Sequence, residues 1–266
     1  MARRRFRAYR SPVDAWTAGG AYETYMGRWS ALVAEQFLRR LAVPGGKRWL
    51  DVGCATGVLT DAIQKRRPRL VVGIDPSAGF LSAARARRAG VFVRGDARAL
   101  PVRDNSFDAV VSGLALNFVP GPAAAIAEFE RAAAPGATVA AYVWDYADGM
   151  GMLRTFWDAA VELNPAAAEL DEGRRFPLCH PEVLARLWAG LHEVTVDAVD
   201  VDTTFADFDD YWTPFLSGQG PAPGYVATLD DQRRDALRDL LRERLTGTGL
   251  TARAWMVHGV KPSPGR

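Results

Sequence analysis

The sequence is short of several things, and each shortage excludes something. It has two cysteines, Cys54 and Cys179, far apart in the chain. A pair so placed is neither a disulfide framework nor a metal-ligand spacing, which points to a reducing, cytoplasmic setting. Lysine is scarce: Lys47, Lys65 and Lys261 are three of 33 basic residues. The formal net charge is only +2, which excludes a strongly basic nucleic-acid binder. No apolar run reaches the roughly eighteen residues that a membrane helix needs. No Gly-x-Gly-x-x-Gly can be written, and no Lys-Ser or Lys-Thr closes a glycine loop, so neither the dinucleotide fingerprint nor the P-loop is present. What remains is ordinary: 266 residues, 48% hydrophobic and 24% charged, ample for a core without staples.

The small net charge hides an asymmetry. Arg3, Arg4, Arg5, Arg7 and Arg10 crowd the first ten residues, leaving 28 basic against 31 acidic residues elsewhere. The run lacks the apolar stretch of a signal peptide, so residues 1–20 read as a basic, solvated tail. Residues 21–45 read as a helix, because Tyr22, Tyr25, Met26, Trp29, Leu32, Val33 and Phe37 recur at helical spacing. Pro44-Gly45-Gly46 then stops it. Residues 46–266 are expected to form one domain, with a break in character near 145.

From 48 to 144, short apolar runs alternate with helical patterns. Strands are expected at 48–52, 70–74, 91–93, 106–112 and 138–144, with helices at 58–67, 77–88 and 122–133 and a turn at Pro135-Gly136. Short strands that are nearly all apolar and separated by helices indicate a parallel sheet buried on both faces. Right-handed crossovers put all carboxyl ends on one edge, where such sheets bind ligands. Gly53, Asp75, Asp96 and Ser112 fall on that edge. Asp51-x-Gly53-x-Ala55-x-Gly57 joins strand to helix with small residues, so that backbone can come close to a ligand. Asp75, closing the second strand, suits two ribose hydroxyls. Asp96, closing the third, suits an adenine amino group. In order, at successive strand ends, the three signals indicate a nucleoside ligand.

These runs resemble those of class I S-adenosylmethionine-dependent methyltransferases, most closely the small-molecule, type 11 branch that includes the quinone-biosynthesis enzymes. Trp49-Leu50-Asp51-Val52-Gly53-Cys54-Ala55-Thr56-Gly57 looks like motif I, and Val72-Gly73-Ile74-Asp75-Pro76-Ser77 like the ribose-binding motif. Gly95-Asp96-Ala97, followed by Leu100-Pro101, looks like the adenine-binding one. The resemblance covers about residues 20–145. It implies a Rossmann-like, doubly wound α/β fold with a seven-stranded, mostly parallel sheet. The last strand is antiparallel beside the fifth, with an N-terminal helical cap and C-terminal lid insertions. It implies S-adenosylmethionine as cofactor and a small-molecule acceptor. Asp51, Gly53, Ala55, Gly57 and Ser112 would lie at the methionine end, Asp75 and Pro76 at the ribose, and Asp96 with Ala97 at the adenine. Tyr22, Tyr25 and Arg28 would close over the cofactor, Arg28 pairing with its carboxylate. The family usually has glycine where Ala55 stands, and Arg-Pro-Gly-Gly where Ala134-Pro135-Gly136-Ala137 stands. Two other readings stay open: a non-catalytic nucleoside-binding protein and a nicotinamide oxidoreductase.

Methyl transfer from a sulfonium is mostly a matter of holding a nucleophile in line, with a base needed for alcohols, phenols and enols. The stretch Gly113-Leu114-Ala115-Leu116-Asn117-Phe118 after the fourth strand has no acid or histidine. It lacks the Asn-Pro-Pro-Tyr type of run of nucleobase and glutamine methylases, and the acid of metal-dependent catechol enzymes, so no metal is expected. Asp145, directly after the fifth strand, and His180, at a helix start, are the candidate bases. Beyond 145, helices are expected at 152–163, 181–191 and 230–245 and strands at 192–205 and 250–260. Residues 206–226, rich in aromatics, Gly and Pro, are expected as a compact loop within a lid of about 206–246. Trp144, Trp157, Tyr211, Trp212 and Phe215 are then candidate walls of an apolar or aromatic acceptor pocket.

Overall fold

The computed structural model describes residues 27–87, 90–218, 220–245, 247 and 249–263. The basic tail, Tyr22 and Tyr25 lie outside them. The first described helix, α1 (Arg28–Leu41), leads into β1 (Arg48–Val52), α2 (Val58–Gln64), β2 (Leu70–Asp75), α3 (Ala78–Ala86) and β3 (Val91–Arg94). Next come β4 (Phe107–Gly113), α4 (Pro122–Ala132) and β5 (Ala133–Trp144). The second half holds α5 (Gly151–Leu163), α6 (Glu172–Arg175), α7 (Pro181–Leu187) and β6 (His192–Thr204). It ends with α8 (Phe208–Trp212), α9 (Pro221–Thr228), α10 (Asp231–Arg244) and β7 (Gly249–Val260).

The strands make one seven-stranded sheet in the order β3-β2-β1-β4-β5-β7-β6. β7 runs antiparallel to β5 and β6, and the pairs among β1 to β5 are parallel. This is the doubly wound sheet expected, with its antiparallel last strand beside β5. Chain order reverses between β1 and β4, and there a doubly wound sheet opens a crevice at its carboxyl edge. The central strands are buried on both faces: in β1, Trp49 joins the core cluster on one side and Leu50 that on the other. Such strands read as continuous apolar runs rather than alternations, which is why they were legible.

Two elements differ from expectation. β5 begins at Ala133, because Pro135-Gly136 forms a bulge inside the strand rather than a turn before it: the register jumps between Phe107 and Ala109, and Gly136 has φ +75°. Residues 206–226 are largely helical, not a loop. Asp207 accepts from the Asp210 N–H at 2.9 Å to start α8, Pro214 sits in the first turn of a 3-10 helix, and Pro221 opens α9. The prolines here begin helices, where a missing N–H costs nothing. The described part of the N-terminal helix, expected as a helix, packs against β5, β6 and the residue after β6. Trp29 meets Phe205 at 5.3 Å and Phe37 meets Tyr142 at 4.7 Å. Gln36 and Arg40 donate to the Asp200 and Ala198 carbonyls of edge strand β6, blunting an edge that would otherwise invite pairing.

Candidate functional site

The loop after β1 is held in a conformation that needs small residues. Gly53, Ala55 and Gly57 all have positive φ, at +74°, +44° and +86°. The Gly53 and Cys54 N–H groups both donate to the Ile74 carbonyl, at 2.7 and 3.0 Å. A Cβ at Gly53 would stand 2.4 Å from the Ala115 Cβ, so the turns after β1 and β4 touch. A side chain there is impossible without displacing one of them. Ala55 pays for its methyl with left-handed backbone, about 1–2 kcal/mol for an L-residue. Ala55→Gly is expected to raise stability by about 0.5–1 kcal/mol, read as a melting temperature a few degrees higher, with cofactor affinity not reduced.

Asp75 ties the loop to the next strand. Its Oδ2 accepts the Ala55 N–H at 3.0 Å and its Oδ1 the Ser77 N–H at 2.8 Å. Burial raises its pKa, opposed by those two bonds. Each carboxylate oxygen keeps a second lone pair for a ligand hydroxyl. Pro76 follows it, and Ser77 caps α3 by accepting from Phe80 N–H. Asp96 is already paired within the chain. Arg98 clamps it through Nε at 3.0 Å and Nη2 at 2.6 Å, and that clamp holds its carboxyl below the usual range. Ala97 is half-buried beside it.

Asp51 is fully buried. Its Oδ2 accepts from Thr60 Oγ1 at 2.6 Å, while its Oδ1 has no partner. Burial, then the negative charge of Asp75, push its carboxyl up to about 7 against the Thr60 bond. The unfolded chain releases this proton near the ordinary carboxylate pKa and the folded chain only near 7. Stability from this group is therefore full in acid and lost as pH rises from about 4 to about 7. Asp51→Asn is expected to flatten the fall in melting temperature between pH 5 and 7.5; an unchanged slope would contradict this. Ser112, at the end of β4, is also buried with an unpartnered Oγ. These orphaned acceptors, and a glycine cradle that a single Cβ would fill, fit a polar ligand lying across the β1–β4 crevice.

The structure does not gather every candidate there. Arg28 stands at the first position of α1. Asp145 is buried, and its Oδ1 accepts the Asp148 N–H at 3.0 Å, closing the turn after β5. His180 is exposed at the N-cap of α7 without a side-chain capping bond. Tyr211 and Phe215 are core residues: Phe215 stacks on Phe156 at 4.4 Å, and the Tyr211 hydroxyl donates to the Met152 carbonyl. Trp212 and Trp144 belong to the same buried cluster. Trp157 donates its indole N–H to Glu172.

Glu172, Asn117 and Cys179 escaped the sequence reading. Glu172 is buried, its carboxyl pushed up to about 7 chiefly by desolvation, and no spacing in the sequence marks it. Asn117, in a 3-10 turn (Leu116–Phe118) after β4, donates through Nδ2 to Cys179 Sγ at 3.9 Å. A cavity of about 470 Å³ lies elsewhere, between α5, α6 and α10, lined by charged groups that include the Arg154–Asp171 pair. Among the described residues no cluster of three or more His, Cys, Asp or Glu could hold a metal, and no helix is long and apolar enough to cross a membrane.

Comparison with known proteins agrees with this frame. Residues 50–141 match the family model described as Methyltransferase domain. The demethylmenaquinone methyltransferase of Renibacterium salmoninarum is 41% identical over 110 residues, which is 41% of this chain and 44% of that protein. The chain thus matches less than half the length of this curated relative. Among solved structures, the [4+2]-cyclase SpnF superposes with a TM-score of 0.56 at 22% identity, covering 88% of this chain and 82% of its own. Phosphoethanolamine N-methyltransferase 2 of Haemonchus contortus, in complex with phosphomonomethylethanolamine and S-adenosylhomocysteine, superposes with a TM-score of 0.55 at 18% identity. It covers 92% of this chain and 57% of its own. At those identities the two share the fold with this protein. Over the matched residues, the chain resembles class I, type 11 S-adenosylmethionine-dependent methyltransferases.

Proposed function

We propose that the protein binds S-adenosylmethionine across the β1–β4 crevice and transfers its methyl group to a small organic acceptor of apolar or aromatic, quinol-like character. The observation that carries this reading is the Asp75 carboxylate. It is buried, fixed by the Ala55 and Ser77 N–H groups, and set one strand away from a glycine loop with orphaned acceptors. The match of residues 50–141 to the Methyltransferase domain and the demethylmenaquinone methyltransferase relatives support it.

In this reading Asp75 and Pro76 hold the ribose, Asp96 and Ala97 the adenine, and Asp51, Gly53, Ala55, Gly57 and Ser112 surround the methionine end. Arg98 acts through Asp96, keeping it ionised and oriented. Tyr22, Tyr25 and Arg28 are proposed to close from the N-terminal side. The cofactor supplies an activated methyl on a sulfonium. What the chain adds is alignment and exclusion of water. Asp145 and His180 are kept as proposed proton acceptors. Residues 46–266 act as one domain, with 206–246 as a roof. Its two ends are pinned at the carboxyl edge, where Thr204 pairs with Gly249, and that supports a place above the acceptor. Trp144, Trp157 and Trp212 would back that roof from the core. The free, buried Cys54 and Cys179 suit a reducing, cytoplasmic setting, and the proposed partner is a small molecule rather than nucleic acid. The test is transfer of a radiolabelled methyl from S-adenosylmethionine to 1,4-naphthoquinol under reducing conditions and to a panel of small phenols and amines. Labelled product that depends on Asp75 supports the reading; cofactor binding with no product from any acceptor defeats its catalytic part.

A further inference from the structure

The sequence offered no group to meet the acceptor in the stretch after β4, yet one polar atom there is without a partner. Asn117 Oδ1 is buried and accepts no hydrogen bond. Its Nδ2 donates to Cys179 Sγ at 3.9 Å. That sulfur is a suitable, neutral acceptor. Burial pushes the thiol up to about 12, and the Tyr146 backbone also bonds to it. The oxygen is thereby aimed away from Cys179. A buried carbonyl oxygen left unpaired costs about 1–3 kcal/mol, and such orphans in folded proteins call for an explanation.

Place and surroundings supply one. Asn117 lies two residues after Ala115, whose methyl meets Gly53 of the cofactor loop, so it stands next to the proposed methionine end. Phe118, beside it in sequence, is 37% exposed, a large ring left open at the carboxyl edge. Phe176 meets Phe118 edge-on at 5.2 Å, and Tyr146 meets Phe176 at 5.7 Å. Apolar rings with a few placed polar atoms among them are the common make-up of a small-molecule site.

We propose that Asn117, Phe118, Phe176 and Tyr146 form the acceptor subsite, and that it takes an aromatic acceptor whose hydroxyl donates to Asn117 Oδ1. The inference rests on the methyl-transfer reading and makes it specific. Asn117 positions the ring, and being neutral it takes no proton. A subsite built to receive an O–H rejects the analogue that lacks it, since the buried oxygen then stays unpaired.

The experiment is calorimetric titration of the full chain, saturated with S-adenosylhomocysteine, with 2-naphthol and with 2-methoxynaphthalene. The wild type is expected to bind the naphthol at least tenfold more tightly. Asn117→Ala brings the two within about twofold of each other, while S-adenosylhomocysteine affinity stays within about threefold and reports a folded protein. Asn117→Asp, whose carboxylate also accepts, keeps the preference. Phe118→Ala weakens both ligands alike. The inference is overturned if Asn117→Ala keeps the full discrimination, or if the wild type binds S-adenosylhomocysteine but does not distinguish the two probes. If the wild type does not bind S-adenosylhomocysteine at all, it is the methyl-transfer reading that fails.

Discussion

On the proposed ribose assignment, Asp75→Ala is expected to raise the dissociation constant for S-adenosylmethionine a hundredfold or more. Two losses combine in that number. Two charge-assisted bonds to the ribose hydroxyls disappear, each worth about 1.5–3 kcal/mol, and tenfold in affinity is about 1.4 kcal/mol. The Ala55 and Ser77 N–H groups also lose their acceptor, so the cofactor loop is no longer tied to β2. Asp75→Asn separates the two: it keeps one oxygen for one of those N–H groups, and its loss should fall between wild type and alanine. The sheet should form in both variants, since Asp75 is the last residue of its strand. Titration calorimetry reads the affinity and circular dichroism the fold. Unchanged affinity in a folded Asp75→Ala protein would remove the ribose assignment.

Gly53→Ala is expected to lower stability by about 2–5 kcal/mol and to abolish measurable cofactor binding. The new methyl meets the Ala115 Cβ at 2.4 Å, overlap of the kind that costs about 1–3 kcal/mol in a packed interior. The φ of +74° adds about 1–2 kcal/mol for any residue with a Cβ. These two causes can be measured apart. In an Ala115→Gly background the clash is gone and only the backbone cost remains, so Gly53→Ala should be milder there. A double-mutant cycle on thermal stability gives the coupling directly. Additive effects would mean that the two turns do not touch as described.

The frame of the site could be read in the sequence because it is made of local things. Strands such as Trp49–Val52 are short, apolar and bounded by turn residues; Gly53 follows β1 directly, Asp75 ends β2, and Asp96 stands two residues beyond β3. Non-local facts were out of reach. Asn117 and Cys179 lie 62 residues apart, and nothing in either neighbourhood signals the other. Glu172 carries no pattern; its burial follows from how α5 and α6 pack. In the segment around Pro214 and Pro221, turn-forming residues suggested a loop because helix starts and turns use the same residues, and only the following backbone bonds distinguish them. Arg98 is the instructive case. It stands two residues from Asp96, near enough for its clamp on that carboxylate to be anticipated, but a charged pair beside a strand end looks the same whether it binds a ligand or itself.

The aromatics after β5 teach a related lesson. Tyr211, Phe215, Phe156 and Trp157 pack ring against ring, so their spacing reported a core. The rings of the proposed acceptor subsite come instead from Phe118, Tyr146 and Phe176, each in a different connection.

The central claim, that the crevice between β1 and β4 is built for S-adenosylmethionine, is tested most directly by equilibrium competition on the purified chain. Titration with S-adenosylhomocysteine, followed by the same titration in the presence of millimolar NAD, should give one site per chain in both cases, with an affinity that NAD leaves unchanged and Asp75→Ala destroys. No heat of binding from S-adenosylhomocysteine, or displacement of it by NAD, would contradict the account.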